Sequence, residues 1–162
     1  MATDPAPAPH SDSPALYTAR VENTAGTAGH VRIRDTAAVE LAAPGPEATG
    51  EISLPTGGPK PTATGFNPEQ FLAMAWSTCL GETLRVVLTE HGLDRESSVS
   101  VEVGMHRDPL GGFRFLPRAL VSIEDLDPVR AREMAEAAHA RCPVSKLLRG
   151  QGEPLLELVV EE

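Results

Sequence analysis

The chain has 162 residues, 41% hydrophobic and 23% charged, a size and balance suited to one compact domain or an intertwined subunit. With 23 acidic against 14 basic residues its net charge is −9, and such a surface repels phosphate backbones, so nucleic acid is not an expected partner. No apolar run reaches the roughly 18–20 residues of a membrane span, and "MATDPAPAPHSDSPA" lacks the basic start and apolar stretch of a signal peptide. The expected location is therefore cytoplasmic, where a paired thiol is more often catalytic or redox-sensing than structural.

Residues 1–15 hold four of the fifteen prolines and read as a disordered tail ahead of a single domain, 16–162. "LYTARVEN" (16–23) alternates weakly as a strand, and "HVRIRD" (30–35) alternates better, with Val31 and Ile33 on one face and Arg32 and Arg34 on the other. "TAAVELAA" (36–43) predicts a third strand, and the Pro- and Gly-punctuated stretch 44–66 a long loop. A helix is predicted over 67–92, with Asn67 as cap, Pro68 in the first turn and Gly92 as the stop. Phe71, Leu72, Ala75, Trp76, Cys79, Leu80, Thr83, Val86 and Val87 follow the helical period, and Leu84 and Leu88 widen the stripe. A helix this apolar is expected to be central and buried.

"SSVSVEVGMHRD" (97–108) predicts a strand, "PLGG" (109–112) a turn, and "FRFLPRALVSIED" (113–125) a returning strand broken or bulged at Pro117. A second helix spans 127–141 with Asp127 as cap and Pro128 in its first turn. Cys142 then caps a short third helix, 143–149, and "PLLELVVE" (154–161) closes the domain as a strand. The plan is α+β.

The two cysteines, Cys79 and Cys142, differ in local setting. A cysteine attacks only as thiolate. Cys79 lies deep in its helix, where the dipole has faded and apolar neighbours raise a thiol pKa, so its activation requires a nearby cation. Cys142 at a helix start meets free backbone N–H groups and has the better local claim to ionise. Each thiol alone also reads as a small core hydrophobe. His139, Cys142 and Cys79 lack the paired spacing of a zinc site, so no metal is expected.

"NPEQFLAMAWSTCL", followed by "CPVSKLL", resembles the OsmC/Ohr family, the osmotically induced and organic hydroperoxide resistance proteins. In that family N-P-E opens a buried central helix that carries a reactive cysteine, and a second cysteine follows in a C-P-V/Y/F-S context. Here the spacings are 79 − 69 = 10 and 142 − 79 = 63 residues. The resemblance covers roughly residues 16–161 and leans toward the OsmC-like branch. It implies antiparallel sheets around the buried helix, an intertwined homodimer and an active site at the subunit interface. It also implies a thiol peroxidase for organic hydroperoxides, with no cofactor. Cys79 resembles the peroxidatic thiol and Cys142 the resolving one, regenerated by a dithiol reductant, lipoyl-type in the Ohr branch.

The family's pattern has an arginine in the loop after the first strand, held by the Glu that matches Glu69. In "TAGTAGH" (24–30) Thr27 stands at that place, so a substitute cation is expected, with Arg32 and Arg34 leading and Arg20 nearby. Glu82, one turn beyond Cys79, is expected to pair with Arg85. Trp76 reads as core packing, as the wall of an apolar pocket, or both. The alternative to a peroxidase is a protein of this fold that binds an apolar ligand or senses redox state without efficient turnover.

Overall fold

The structure is a computed structural model and describes residues 14–34, 54–59 and 65–150. Within them the chain runs through β1 (Tyr17–Thr24), a single 3-10 turn (Gly26–Ala28), β2 (His30–Arg34), α1 (Pro68–Glu90), β3 (Ser97–Arg107), β4 (Phe113–Ile123), α2 (Pro128–Arg141) and α3 (Pro143–Leu148). The strands form one antiparallel sheet in the order β2-β1-β3-β4. Most of the tail, the third strand (36–43), most of the loop 44–66 and the closing strand (154–161) fall outside the described residues.

Alternation sets the two faces of the sheet. Ala19, Val21 and Asn23 of β1 stand opposite Val103, Val101 and Val99 of β3, and all six are buried. The other face carries Glu102, which accepts from Arg20 at 3.2 Å and from Arg118 at 2.6 Å. The expected break at Pro117 does not occur. Register between β3 and β4 runs unbroken from Ser97↔Ile123 to Arg107↔Phe113, with Pro117 opposite Val103. Among the described strands β4 is an edge, so the donor that proline lacks can face outward, where the ladder does not need it.

A capping box starts α1: Asn67 Oδ1 accepts from the Gln70 N–H at 2.8 Å, and Gln70 Oε1 accepts from the Asn67 N–H at 3.0 Å. The Asn67 side chain also donates to the Tyr17 hydroxyl at 2.9 Å, which ties the helix start to β1. By length and mean hydropathy (1.3 over its most apolar window) α1 passes for a membrane span, contrary to the sequence expectation. In the fold it is the core helix, packed on β1 and β3 on one side and on α2 and α3 on another.

The buried face of α1 is rotated from the predicted stripe. Trp76, Leu80, Leu84, Val87 and Leu88 of that stripe are buried, together with Ala73, Ser77 and Gly81, whereas Ala75 is exposed and Phe71, Leu72, Cys79, Thr83 and Val86 are half-buried. Ala73, Ser77 and Gly81 repeat every four residues, and their small side chains let the helix approach closely. A Cβ on Gly81 would meet Asn23 Oδ1 at 2.8 Å and Gly26 Cα at 3.3 Å. A periodicity read from large apolar side chains alone misses such a contact face.

Candidate active site

Cys142 is the junction between two helices. It ends α2 and starts α3, with Pro143 in the first turn of the latter. Its N–H still bonds back to the Ala138 carbonyl at 2.9 Å, while its extended backbone (φ −62°, ψ 122°) turns the chain. The sulfur is thereby driven into the core, with no exposed surface, against the flank of α1. There it lies 3.4 Å from Cys79 Sγ, both thiols being free. The sulfurs are thus in contact but short of the roughly 2.05 Å of a disulfide.

The pair is asymmetric. Cys79 is half-buried and lines an open cavity of about 650 Å³ together with Thr27, Met74, Ala75, Thr78 and Glu82. Cys142 is closed off behind it. A soluble oxidant therefore meets Cys79 first. A second cavity, about 640 Å³ and lying between β4 and α2, reaches Trp76 and His139 but neither sulfur.

Electrostatics favours the opposite thiol. Burial pushes the Cys79 thiol up, the Val144 N–H draws it partly back, and the neighbouring Cys142 raises it again. Burial also acts against a charge on Cys142. There the Ser145 hydroxyl and N–H, the Cys79 thiol and the Val144 N–H outweigh it, and the net direction is down. The sulfur closes no formal cap hydrogen bond on α3, so these donors act by proximity at the helix start. Of the two thiols Cys142 is thus shifted toward the thiolate and Cys79 away from it. Among the described residues, none of the groups acting on Cys79 is a cation.

Two of the expected arginines, Arg20 and Arg32, are not at the site. Arg20 points to the far face of the sheet, where it pairs with Glu102, and Arg32 is exposed and in register with Glu22 on that same face. Arg34 occupies the register position opposite Arg20. The alternation of β1 and β2 that buries Val21 against α1 necessarily sends these positions to the other side. Glu69 lies in the first turn of α1 and is buried, and its Oε2 has no hydrogen-bond partner among the described residues.

The turn after β1 does come to the site. Ala25 and Gly26 both take the left-handed conformation, at φ 63° and 57°, and they fold the 3-10 turn onto α1. Thr27 then donates from its N–H and its hydroxyl to Glu82 Oε2, at 3.3 and 2.9 Å. Arg85 grips the same carboxylate through Nε at 3.1 Å and Nη2 at 2.5 Å, as the i, i+3 spacing predicts. Arg85 first, and Thr27 after it, hold the Glu82 carboxyl down at about 2. Glu82 thus anchors the loop that walls the Cys79 cavity, a role its pairing with Arg85 alone did not suggest. Ser145 escapes a reading of the two cysteines, and His139 entered it only as a zinc candidate; the Trp76 N–H donates to Ser145 Oγ at 2.8 Å and His139 Nδ1 lies 3.0 Å from it. The signal available for Ser145 was its place in C-P-V-S, three residues after a helix cap, where its backbone N–H faces the capping position.

A family model for OsmC-like proteins matches residues 59–154. The organic hydroperoxide resistance protein OhrB of Bacillus subtilis is 34% identical over 145 residues, which is 89% of this chain and 98% of that protein. Its crystal structure superposes with a TM-score of 0.52 at 33% identity, covering 84% of this chain and 93% of that one. An organic hydroperoxide resistance protein from Legionella pneumophila gives a TM-score of 0.52 at 26% identity, covering 85% of this chain and 93% of its own.

Proposed function

Since this chain belongs to the OsmC/Ohr family, we propose that it is a thiol peroxidase that reduces organic hydroperoxides through a cycle of Cys79 and Cys142. One observation carries the reading: two free thiols 3.4 Å apart, one facing an open cavity and the other shut behind it. A purely structural pair has no need of that asymmetry. The names of the relatives, organic hydroperoxide resistance proteins, support a role in hydroperoxide redox chemistry.

In the cycle, the Cys79 thiolate attacks the terminal oxygen of the hydroperoxide. An S–O bond forms as the O–O bond breaks, and the departing alkoxide takes a proton and leaves as alcohol. Cys79 is now a sulfenic acid. The Cys142 thiolate attacks its sulfur, forming the S–S bond and breaking the S–O bond, and the departing hydroxide is protonated to water. A dithiol reductant, lipoyl-type in the resemblance, reopens the bridge by two thiol exchanges and leaves as its own disulfide. A downward-shifted Cys142 suits the second step, since a thiol that ionises near ambient pH is the most effective attacker. The apolar wall of Met74, Ala75 and the Thr78 methyl suits an organic rather than a bare peroxide. The cycle needs a reducing compartment, consistent with a cytoplasmic location, and the half-buried stripe Phe71, Leu72, Val86 on α1 suits a homodimer contact.

A second reading has its own support. Cys79 is shifted upward and has no cation beside it among the described residues. That favours a protein of this fold that binds an apolar ligand or senses redox state with slow turnover. Consumption of cumene hydroperoxide and of hydrogen peroxide, with dihydrolipoamide or thioredoxin as reductant, separates the two. The peroxidase reading expects rapid loss of cumene hydroperoxide with the dithiol. Stoichiometric oxidation without turnover under either reductant would replace it with the second.

A further inference from the structure

The cavity beside Cys79 holds a fixed negative charge. Glu82 lines it, with 26% of its side chain exposed. Its carboxylate is held in place from both oxygens. Oε2 accepts from the Thr27 N–H, the Thr27 hydroxyl and Arg85 Nε, and Oε1 accepts from Arg85 Nη2. Arg85 reaches the carboxylate from three residues further along α1 and is not among the residues that line the cavity. A molecule entering toward Cys79 therefore meets the carboxylate ahead of the guanidinium that balances it.

The rest of the described lining does not offset that charge. It holds no cation, only Met74, Ala75, Pro143, the Cys79 thiol and three threonines. A threonine hydroxyl has one proton to give. Thr27 spends its own on Glu82, together with its N–H, and Thr83 donates to the Cys79 carbonyl at 2.8 Å. Of these hydroxyls only that of Thr78 remains to donate. Among the described residues the wall thus presents one negative charge, apolar surface and oxygen lone pairs, a poor setting for an anion.

We propose that Glu82 selects the substrate by charge: the Cys79 cavity admits uncharged alkyl and aryl hydroperoxides and disfavours those that carry a carboxylate close to the peroxide group. The proposal rests on the peroxidase reading above and narrows its substrate class. The peroxide oxygen goes to Cys79 Sγ, and the organic remainder lies along the wall where Glu82 stands. Residues three apart on a helix have their Cβ atoms about 5–6 Å from one another. Two like charges at that separation in a solvated cavity change a rate by about threefold. Glu82 touches no reacting atom and acts on the part of the substrate that is not transferred. Its carboxyl, held down at about 2, stays ionised across the neutral range, so the selection is the same throughout it.

The first test needs no turnover. In the full chain with Cys142→Ser, Cys79 is the only thiol. Its alkylation rates with neutral iodoacetamide and anionic iodoacetate are compared, each relative to N-acetylcysteinamide in the same buffer. Both reagents consume the thiolate, so the thiolate fraction cancels in the ratio. At about 0.01 M ionic strength the protein is expected to favour iodoacetamide about threefold more than the small thiol does. Glu82→Gln is expected to bring the ratio to that of the small thiol. Glu133→Gln on α2, which removes one charge away from the cavity, is expected to leave it unchanged. A wild-type ratio equal to that of the small thiol, or one that Glu82→Gln leaves intact, would overturn the proposal, as would an equal loss in Glu133→Gln. Should Glu82→Gln fail to fold, salt decides: a preference that survives about 1 M sodium chloride, where screening acts within about 3 Å, is steric and overturns it.

The second test uses the chain with both cysteines and follows sulfenic acid formation on Cys79 with cumene hydroperoxide and with its para-carboxylate. The neutral peroxide is expected to react about threefold faster, and Glu82→Gln to narrow the gap by accelerating the carboxylate alone. Equal rates for the two peroxides in the wild-type chain, or a gap that Glu82→Gln leaves intact, would overturn the selection. If the wild-type chain forms no sulfenic acid with either, the peroxidase reading fails, and the alkylation ratio still decides whether Glu82 sets the charge preference of the cavity.

Discussion

Glu82 accepts both the N–H and the hydroxyl of Thr27, at 3.3 and 2.9 Å, and so fastens the turn after β1 to α1 one helical turn beyond Cys79. The same carboxylate is gripped by Arg85, which is the larger reason why its pKa lies at about 2 rather than 4.5. A depressed carboxyl stabilises the fold fully above its unfolded value and loses that contribution as the pH falls through the folded one. Glu82→Gln is therefore expected to cost about 1 kcal/mol at neutral pH, and progressively less as the pH drops from 4.5 toward 2. Urea unfolding of both proteins across that range is the check. A cost independent of pH would show that the charge on Glu82 is immaterial.

Gly26 admits no side chain. Its φ is +57°, and an added Cβ would stand 2.7 Å from the Cα and N of Glu82. Gly26→Ala combines left-handed strain with a backbone clash and is expected to destabilise by about 2 kcal/mol or more. Thermal or urea unfolding measures it. A substitution that is neutral would mean that the turn does not sit against α1 as described.

The order of ionisation of the two thiols gives a third prediction. Cys142 is shifted downward by its Ser145 and Val144 donors, and Cys79 upward by burial. In the reduced protein the first rise in thiolate absorbance with pH is expected to disappear in Cys142→Ser and to persist in Cys79→Ser. Against this order, dimedone added with peroxide is expected to label Cys79, because that sulfur faces a cavity while Cys142 has no exposed surface. Labelling of Cys142 in preference would reverse the assigned roles.

Arg32 lies exposed on the sheet face remote from Cys79, opposite Glu22 in the register. Arg32→Ala is expected to leave the pH profile of Cys79 oxidation unchanged and to alter stability by no more than about 0.5 kcal/mol. A profile shifted toward alkaline pH would restore the strand arginine as the activating cation.

Glu69 has a buried carboxylate oxygen with no partner among the described residues. If that oxygen orients a cation brought to the site, Glu69→Gln is expected to slow sulfenic acid formation on Cys79 and leave disulfide closure untouched. If closure is the step that changes, Glu69 acts on the fold rather than on the peroxide step.

The sequence alone determined the elements whose signals are local. Asn67 and Pro68 start α1, Asp127 and Pro128 start α2, and Cys142 with Pro143 marks the break into α3, because cap chemistry acts within one helical turn. The pairing of Cys79 with Cys142 was legible only through the family resemblance, since no local rule joins residues 63 apart. Tertiary structure decided three things. The first is which side of α1 is buried: Ala73, Ser77 and Gly81 carry no hydrophobic signal, and their smallness matters only when a neighbour arrives. The second is the exclusion of Arg20 and Arg32, which follows from the face on which β1 meets the helix. The third is the meeting of Trp76 and His139 at Ser145, because the hydroxyl's partners come from α1 and α2, whose docking on α3 no spacing along the chain specifies.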